Sequence, residues 1–315
     1  MISVIGCGYW GKNLIKTFGE LGMLFSVHDI NQSVQQQFTT EYNLKSINFE
    51  EMLKSKSVKG VVIATTAETH FKLAKQALEN NKHVFIEKPI CLELGDAKTL
   101  GKLSEMHSKI LMVGHLLQYH DHFKKLKEII HSDKLGKIKK VKSTRKSYGI
   151  LREHEDVIWS FAPHDISMIL SLFEDEKVNN FFTHRKMIFN SNTDSAHLFF
   201  EIEGANIEIE VDWTSYEKLQ RIEVYCEKGI IVFEDSTIDP DKKLFILDTL
   251  FDVETLKQKS SLTPTFLHVE TEGNPLKNEC LEFINCIENG SIPFTNYIEA
   301  SKVLNLLLKA EEKNE

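Results

Sequence analysis

The sequence predicts two domains: an N-terminal α/β domain with a doubly wound parallel sheet, and a C-terminal α+β domain with an open, mostly antiparallel sheet. Three observations predict this fold class. The chain has 315 residues, and a domain usually holds roughly 100–200 residues. In the first part of the chain, apolar strand-like runs alternate with amphipathic helices, which is typical of a parallel sheet. Hairpins of alternating apolar and polar residues dominate the rest. The predicted domains are residues 1–120 and 121–315.

The first strand leads into a glycine-rich turn. Residues 2–5 are apolar, and Gly6, Gly8 and Gly11 form a G-x-G-x-x-G motif that opens an amphipathic helix. In this context Gly6 permits a tight turn, Gly8 lets the backbone approach a pyrophosphate, and Gly11 lets the helix pack closely on the strand. The helix N-terminus offers N–H groups to the phosphates. The motif therefore predicts a Rossmann domain that binds a dinucleotide, with an ordinary glycine-rich turn as the alternative.

An acidic residue at the end of the second predicted strand indicates which dinucleotide binds. Asp29 lies 18 residues after Gly11, where a carboxylate accepts hydrogen bonds from the adenosine ribose. That carboxylate would repel a 2′-phosphate, and Asn31 and Gln32 follow it instead of an arginine. The expected cofactor is NAD rather than NADP.

The alternation of strands and helices continues through the first domain. Residues 49–53 are predicted to be a short helix, followed by five alternating strands and helices: VKGVVIAT, HFKLAKQALEN, KHVFIEKP, LGDAKTLGKLSEMHS and KILMVGH. Ligands of such sheets bind beyond the carboxyl ends of the strands. The candidate positions are therefore the residues at three predicted strand ends: Thr65 and Thr66, Glu87 to Pro89, and Gly114 with His115.

Lys88 is the candidate catalytic residue of the first domain. It follows the predicted strand HVFI, and Pro89 restricts the path of the chain after it. An ammonium group at the rim of a cofactor cleft is costly to desolvate without a partner. This position favours a functional lysine over the alternative, a surface lysine paired with Glu87.

The second domain is predicted to contain a sheet with one apolar face. Two hairpins are predicted, at residues 195–213 and 220–235. In the first hairpin isoleucine and valine alternate with glutamate and aspartate, as expected when one face is covered and the other is not. Two final helices, at residues 276–289 and 296–312, are expected to pack back on the first domain.

Charge and cysteine content exclude several classes of function. The net charge of -8 argues against general nucleic-acid binding, which needs a basic surface. No apolar run approaches the roughly 20 residues of a membrane span. The five cysteines show neither metal-ligand spacing nor a disulfide framework. We therefore expect no metal and no membrane, reduced thiols, and a cytoplasmic protein whose first strand leaves no room for a signal peptide.

One lysine-rich segment runs from residue 124 to residue 146. We interpret it as a solvated face followed by an edge strand that carries lysines. Electrostatic attraction of an anionic substrate is the functional alternative.

The motifs of the first domain resemble the Gfo/Idh/MocA family of glucose–fructose oxidoreductases and inositol dehydrogenases. The residues that match in order and spacing are Gly6, Gly8, Gly11, Thr65, His70, Glu87-Lys88-Pro89 and Gly114-His115. The resemblance covers essentially the whole chain. It implies that Lys88 lies between substrate and nicotinamide, and that the C-terminal sheet joins subunits into a homodimer or homotetramer. The implied cofactor residues are Gly6, Gly8, Tyr9, Trp10, Gly11, Asp29, Thr65, His70, Glu87, Lys88 and His115.

The segment SYGILREHEDVIWSFAPHDI resembles a subgroup of that family, the 3-dehydrogenases of UDP-linked N-acetylhexosamines and their uronates. The matching residues are Gly149, Arg152, Trp159 and Pro163-His164-Asp165, and NPLKNECLEFINCI resembles the subgroup's C-terminal part. Asp156 replaces the asparagine of the subgroup, and a carboxylate there would disfavour a uronate group nearby. The choice between uronate and neutral sugar stays open.

His164 is the expected general base. Pro163 suits the first position of a helix, which would place His164 in the first turn, where the helix dipole favours a neutral imidazole. The same field would lower the pKa of Lys88, which could stabilise a developing alkoxide. Asp165 either binds substrate or only complements the helix dipole.

Three further residues are candidates for binding the substrate. Arg152 could bind a phosphate or carboxylate in bidentate fashion, with a surface arginine as the alternative. Tyr148 and Trp159 could line a sugar pocket or belong to the core.

The sequence thus predicts NAD-dependent oxidation of the C3 hydroxyl of a UDP-N-acetylhexosamine or its uronate, in the biosynthesis of surface polysaccharide. One alternative is a dehydrogenase of the same family that acts on another sugar, nucleotide sugar or cyclitol. The other is a non-catalytic protein that binds NAD or a sugar nucleotide.

Overall fold

The computed structural model describes residues 1–148, 155–175, 177–189, 191–248, 251–252, 257–258, 263–271 and 273–312. The elements up to the short 3₁₀ turn Leu116–Tyr119 are β1 Ile2–Ile5, α1 Gly11–Glu20, β2 Leu24–His28, α2 Gln32–Glu41, α3 Phe49–Lys54, β3 Gly60–Ile63, α4 Ala67–Glu79, β4 His83–Glu87, α5 Leu94–Met106 and β5 Leu111–Gly114.

The remaining elements follow in chain order, with a second 3₁₀ turn at Pro240–Lys242. They are α6 Asp121–His131, β6 Ile138–Lys146, α7 Val157–Leu170, β7 Val178–Lys186, β8 Ser195–Ile202, β9 Ala205–Asp212, β10 Leu219–Cys226, β11 Gly229–Glu234, β12 Leu244–Asp248, β13 Phe251–Asp252, β14 Lys257–Gln258, β15 Thr265–Phe266, α8 Pro275–Asn289 and α9 Tyr297–Glu311. Within the described ranges, no helix is both long enough and apolar enough to cross a membrane.

The chain divides into two compact units. The first unit contains Met1–Tyr119 and Gly273–Asn305, and the second contains His120–Glu272 and Leu306–Glu315. The first unit is therefore built from both ends of the sequence.

A five-stranded parallel sheet, in the order β2-β1-β3-β4-β5, forms the centre of the first unit. Strands β1, β3 and β5 are buried along their whole length, because helices cover both faces of a doubly wound sheet. The predicted parallel sheet is confirmed. The strand order reverses between β1 and β3, so the carboxyl ends of these two strands border the crevice where such sheets bind ligands.

Helix α8 completes the core of the first unit. The Phe283 ring lies 5.7 Å from the Phe85 ring of β4. Cys280 and Phe283 are both fully buried, in one apolar cluster with Cys7 and Tyr119. Residues near the end of the chain thus fill space beneath the first sheet.

The second unit contains an eight-stranded sheet in the order β15-β12-β11-β10-β6-β9-β8-β7. All neighbouring strands are antiparallel except β6 and β9, which are parallel. The predicted open, mostly antiparallel sheet is confirmed. Along β9, Ile207, Ile209 and Val211 are buried and alternate with partly exposed Glu208 and Glu210, as the period of a strand requires.

The expectation that the lysine-rich segment ends in an edge strand is wrong. Strand β6 lies inside the sheet, between β10 and β9. Its Lys140 Nζ lies 3.0 Å from Glu208 Oε2, and Lys146 forms an ion pair with Glu210. The lysines thus match the glutamates of the neighbouring strand, and opposite charges on adjacent strands stabilise a sheet.

Removing the Phe283 ring, which packs on Phe85 of β4, should destabilise the first unit. Phe283→Ala should lower the free energy of unfolding by about 3–5 kcal/mol, because it removes a buried ring and leaves a cavity. The matched control is Ile292→Ala, since Ile292 is 79% exposed and should change stability by less than about 0.5 kcal/mol. Urea unfolding followed by circular dichroism measures both, and equal midpoints would contradict the packing role of Phe283.

Candidate active site

The glycine-rich turn after β1 has the shape that a dinucleotide needs. Gly6 has φ 91°, and a Cβ atom there would lie 2.5 Å from the Ala64 carbonyl oxygen. A Cβ atom on Gly11 would lie 1.9 Å from the Gly6 carbonyl oxygen. A Cβ atom on Gly8 would meet nothing within 4 Å. Gly6 and Gly11 are thus required by the fold, whereas Gly8 faces open space in which a pyrophosphate can approach the backbone.

The N-terminus of α1 follows directly on the glycine-rich turn. The preceding residue, Trp10, provides no side-chain cap for this helix. The Lys12 and Asn13 amides donate to the Gly8 and Trp10 carbonyl oxygens, so the helix dipole is the feature that favours a phosphate at this end. The Trp10 Nε1–H group donates instead to Glu87 Oε1 at the end of β4. Tyr9, between Gly8 and Trp10, is 82% exposed, with Lys12 Nζ 5.1 Å from the centroid of its ring.

The Asp29 carboxylate is held beside this turn. Its Oδ2 accepts from the Cys7 backbone N–H at 2.7 Å, and its Oδ1 accepts from the Asn31 N–H at 2.8 Å. Burial, followed by the charge of Asp29, raises the pKa of the Cys7 thiol to about 12. The Cys7 thiol is thus neutral, and Asp29 supplies the negative charge that favours ribose hydroxyls and disfavours a 2′-phosphate. These residues fit NAD.

His70 fastens the loops that follow β3 and β4. The ring is 1% exposed, with Nδ1 2.7 Å from the Pro89 carbonyl oxygen and Nε2 3.1 Å from the Thr65 carbonyl oxygen. Burial lowers the pKa of His70, so the ring is neutral and donates to one carbonyl at a time. The geometry gives His70 the role of holding the backbone of Thr65 and Pro89 in place.

Glu87 ends β4 and Lys88 follows it, and both are partly buried. The Lys88–Pro89 peptide bond is cis. The Glu87 carboxylate lies over Gly114 of β5, where a Cβ atom would be 2.9 Å from Oε2. Burial raises the pKa of Glu87 to about 7, against the opposing effects of the Trp10 hydrogen bond and the Lys88 charge.

His115 follows β5 and is 2% exposed. Its Nδ1 lies 2.7 Å from Glu299 Oε2 in α9. No spacing in the sequence indicated Glu299, because 184 residues separate the two partners. The carboxylate orients the His115 ring at the edge of the cofactor crevice.

In the second unit, the helix that carries His164 begins earlier than expected. Helix α7 starts at Val157, and Asp156 caps it by accepting from the Trp159 N–H at 3.0 Å. Pro163 lies inside the helix, where it lacks the N–H that would bond the Trp159 carbonyl. His164 is therefore in the third turn, and the argument that the helix dipole keeps it neutral is wrong, because that effect fades within the first turn.

Asp165 forms a buried ion pair with β6. Its carboxylate is 1% exposed and accepts from Ser143 Oγ at 2.6 Å and from Arg145 Nε at 2.6 Å. A second Arg145 nitrogen lies 3.2 Å from Oδ1. The helix-dipole explanation of Asp165 is thus wrong. Both carboxylate oxygens are engaged in fixing α7 on β6, next to His164.

The other substrate candidates take different positions. Trp159 Nε1 donates to Glu311 Oε1 at 2.6 Å, and Tyr148 is 77% exposed. Burial raises the pKa of Asp156, opposed by its hydrogen bond from Trp159 and by the charge of Arg185. Gly149 and Arg152 lie outside the described residues.

Two family models match the chain. Residues 1–115 match the model of an oxidoreductase family with an NAD-binding Rossmann fold, and residues 123–232 match the GFO/IDH/MocA C-terminal domain. Among curated proteins, the uncharacterized oxidoreductase YrbE of Bacillus subtilis is 22% identical over 300 residues, covering 90% of this chain and 85% of that protein.

A second relative is known by its reaction. The UDP-N-acetylglucosamine 3-dehydrogenase of Acidithiobacillus ferrooxidans is 25% identical over 183 residues, which cover 56% of this chain and 55% of that protein. Its solved structure, GnnA, has a TM-score of 0.84 at 19% identity, covering 98% of this chain and 95% of that chain. GenD2 from gentamicin A biosynthesis, in complex with NAD, has a TM-score of 0.81 at 17% identity, covering 98% of this chain and 92% of that chain.

The two matched ranges coincide with the glycine-rich turn, the β4 strand end and the second sheet. The chain therefore belongs to the Gfo/Idh/MocA family of oxidoreductases and uses NAD as its cofactor.

Proposed function

We propose that this enzyme oxidises the C3 hydroxyl of a UDP-N-acetylhexosamine, or of its uronate, to the 3-keto sugar in the biosynthesis of surface polysaccharide. The observation that carries the proposal is the agreement of two comparisons. The UDP-N-acetylglucosamine 3-dehydrogenase of Acidithiobacillus ferrooxidans is similar in sequence, and its structure matches this fold over 98% of the chain. The motif from Gly149 to Asp165 supports the same substrate class.

The proposed reaction removes a proton from the hydroxyl group and a hydride from the carbon atom that carries it. His164 would accept the hydroxyl proton, and NAD⁺, when bound, would supply the acceptor for the hydride of the same carbon, so that the alcohol becomes a ketone. Lys88 donates a hydrogen bond to the reacting oxygen and stabilises its negative charge as the proton leaves. His164 lies beyond the first turn of α7, so its proposed role as the base rests on the imidazole group itself, which can accept a proton.

The proposed binding residues fall into two groups. Residues around the crevice of the first sheet hold NAD: Gly6, Gly8, Tyr9, Trp10, Gly11, Asp29, Thr65 and His115, with His70 and Glu87 supporting them from below. Residues of the second unit bind the sugar nucleotide: Tyr148, Arg152, Asp156, Trp159 and His164. Arg152 is proposed to bind a phosphate or carboxylate, and Asp165 is proposed to support His164 through the Arg145 ion pair.

A second candidate function has specific support. The glucose-6-phosphate 3-dehydrogenase of Bacillus subtilis is 31% identical over 130 residues, covering 41% of this chain and 37% of that protein. The myo-inositol 2-dehydrogenase of Thermotoga maritima is 25% identical over 140 residues, covering 43% of this chain and 42% of that protein. A dehydrogenase of another sugar or a cyclitol would use the same Lys88 and His164.

Removing either proposed catalytic group should stop turnover and spare the cofactor. Lys88→Ala and His164→Asn should each lower kcat by roughly 10²–10⁴-fold, the usual contribution of a positioned acid or base. The Kd for NAD, measured by fluorescence titration, should change little. Lys98→Ala and His268→Asn are matched controls on the exposed surface. Near-normal turnover in both active-site variants would refute the assigned roles.

A substrate panel should distinguish the candidate functions. The expected order has UDP-N-acetylglucosamine or its uronate ahead of a dTDP-sugar, glucose 6-phosphate and myo-inositol, by at least about tenfold in kcat/KM, equivalent to about 1.4 kcal/mol. NADH absorbance measures each rate. A faster reaction with inositol or glucose 6-phosphate would favour the second candidate. Tight NAD binding without reduction by any alcohol would favour a binding protein.

The second sheet is the proposed surface for self-association into a homodimer or homotetramer. The ring of Phe182, on its edge strand β7, lies 6.3 Å from the ring of Phe199 on β8. Phe182 is 49% exposed and Phe199 is 38% exposed. Exposed apolar residues on an edge strand favour pairing with another chain.

Placing a charge on this edge should weaken association. Phe182→Glu should reduce the assembly to smaller species, because the carboxylate would lose its water on association. Size-exclusion chromatography with light scattering measures the mass, and Tyr216→Glu is the control, since Tyr216 is 94% exposed outside the regular strands. A monomeric natural protein, or an unchanged mass in Phe182→Glu, would contradict this surface.

A further inference from the structure

A second carboxyl group lies buried in the first unit, in a position that the proposed reaction does not use. Glu279 belongs to the first half of α8 and has an exposed fraction of 0%. Among the described residues, neither of its carboxyl oxygens has a hydrogen-bond partner. Burying a carboxylate without a partner is costly, so a glutamate kept there needs a physical explanation.

The register of α8 on β4 directs Glu279 toward Glu87. Phe283 packs on Phe85. Glu279 lies one helical turn before Phe283 on the same face of α8. Glu87 lies two residues after Phe85 on the same face of β4. A helical turn and two strand residues each advance roughly 5–7 Å. The aromatic pair is therefore followed by a pair of glutamates.

The charges around the two carboxyl groups support this pairing. Burial raises the pKa of Glu279 well above its ordinary value, and the negative charge of Glu87 raises it further. Glu87 faces the Trp10 N–H, the Lys88 ammonium and His115, all of which favour its ionised form. The buried Tyr119 hydroxyl, beside α8, and the buried Cys280 thiol, next along the helix, also interact with Glu279, and burial raises the pKa of both.

We propose that Glu87 and Glu279 act as one acidic pair that holds a single proton, and that Glu279 is a positioning residue which limits the negative charge behind Lys88 to one carboxylate. The second part rests on the catalytic role proposed for Lys88. Two neighbouring carboxyl groups in a desolvated site do not both ionise, because the second charge would repel the first. Neutral Glu279 thus leaves one anion, Glu87, to face the Lys88 cation.

The proton can be observed without substrate or cofactor. At about pH 9, where Glu87 is ionised, the infrared spectrum of the protein should still contain the C=O stretch of a protonated carboxylic acid, which Glu279→Gln removes. Gln has nearly the same shape and no acid proton, so it should fold. Glu288→Gln, on the exposed side of the same helix, should leave the band in place. A natural protein without the band, or a band that survives Glu279→Gln, overturns the pair.

The pH dependence of stability provides a second measurement. A raised pKa means that the folded state keeps a proton that the unfolded state has lost, so stability falls as pH rises from the unfolded pKa up to the folded pKa. Above about pH 7, where Glu87 is ionised, the remaining proton belongs to Glu279. Relative to Glu279→Gln, the natural protein should lose about tenfold in its folding equilibrium constant per pH unit. Parallel stability curves overturn the assignment.

The positioning role is tested by the pH profile of turnover with the UDP-sugar. The natural enzyme should lose kcat on the alkaline side as Glu279 ionises, whereas Glu279→Gln should keep its rate to higher pH with KM little changed. Identical profiles would refute the positioning role. If Lys88→Ala proves fully active, the proposed function fails, but the infrared band and the stability slope still decide whether the pair holds a proton.

Discussion

The cofactor side of the site depends on one desolvated carboxylate, that of Glu87. It receives the Trp10 N–H, lies over Gly114, and immediately precedes Lys88. The end of β4, the end of β5 and the residue before α1 thus all meet at the Glu87 carboxylate. Because the anion has lost much of its hydration, each of these neighbours acts on it more strongly than it would in water. The Glu-Lys-Pro sequence is therefore a charge arrangement as well as a turn: Glu87 joins the end of β4 to Trp10, and the Lys88 ammonium follows it.

The second unit uses the opposite arrangement, in which a buried cation is paired directly. Arg145 of β6 is 7% exposed and binds Asp165 of α7. Losing one partner of such a pair leaves an uncompensated charge in the interior. A shift of α7 along the sheet would separate the two charges, so the pair fixes the position of the helix on β6. Asp165 is the next residue after His164, so this ion pair lies beside the proposed base in the sequence. The same helix is capped by Asp156 and contains Pro163.

The first sheet was predictable from the sequence because its physical signature is local. Strands buried on both faces are continuous apolar runs, and the turn after β1 admits no Cβ atom at Gly6 or Gly11. Helix α2 was not predicted, because its glutamine-rich face buries only Thr39 and leaves little periodicity. The start of α7 was misplaced because Asp156 and Pro163 both suit helix starts. His115–Glu299 and Arg145–Asp165 could not be predicted, since folding alone joins residues so far apart in sequence.

The construction of the first unit from both ends of the sequence has a consequence for synthesis on the ribosome. Strands β1 to β5 emerge early, but the apolar surface that receives Cys280 and Phe283 stays uncovered until α8 has left the exit tunnel. A domain made of one continuous segment can close its core as soon as its last strand appears. Here the nascent chain must carry an open nucleotide-binding sheet through the synthesis of residues 120–272, which belong to the second unit. The apolar surface of the first sheet must therefore be kept from aggregating until α8 is available to cover it.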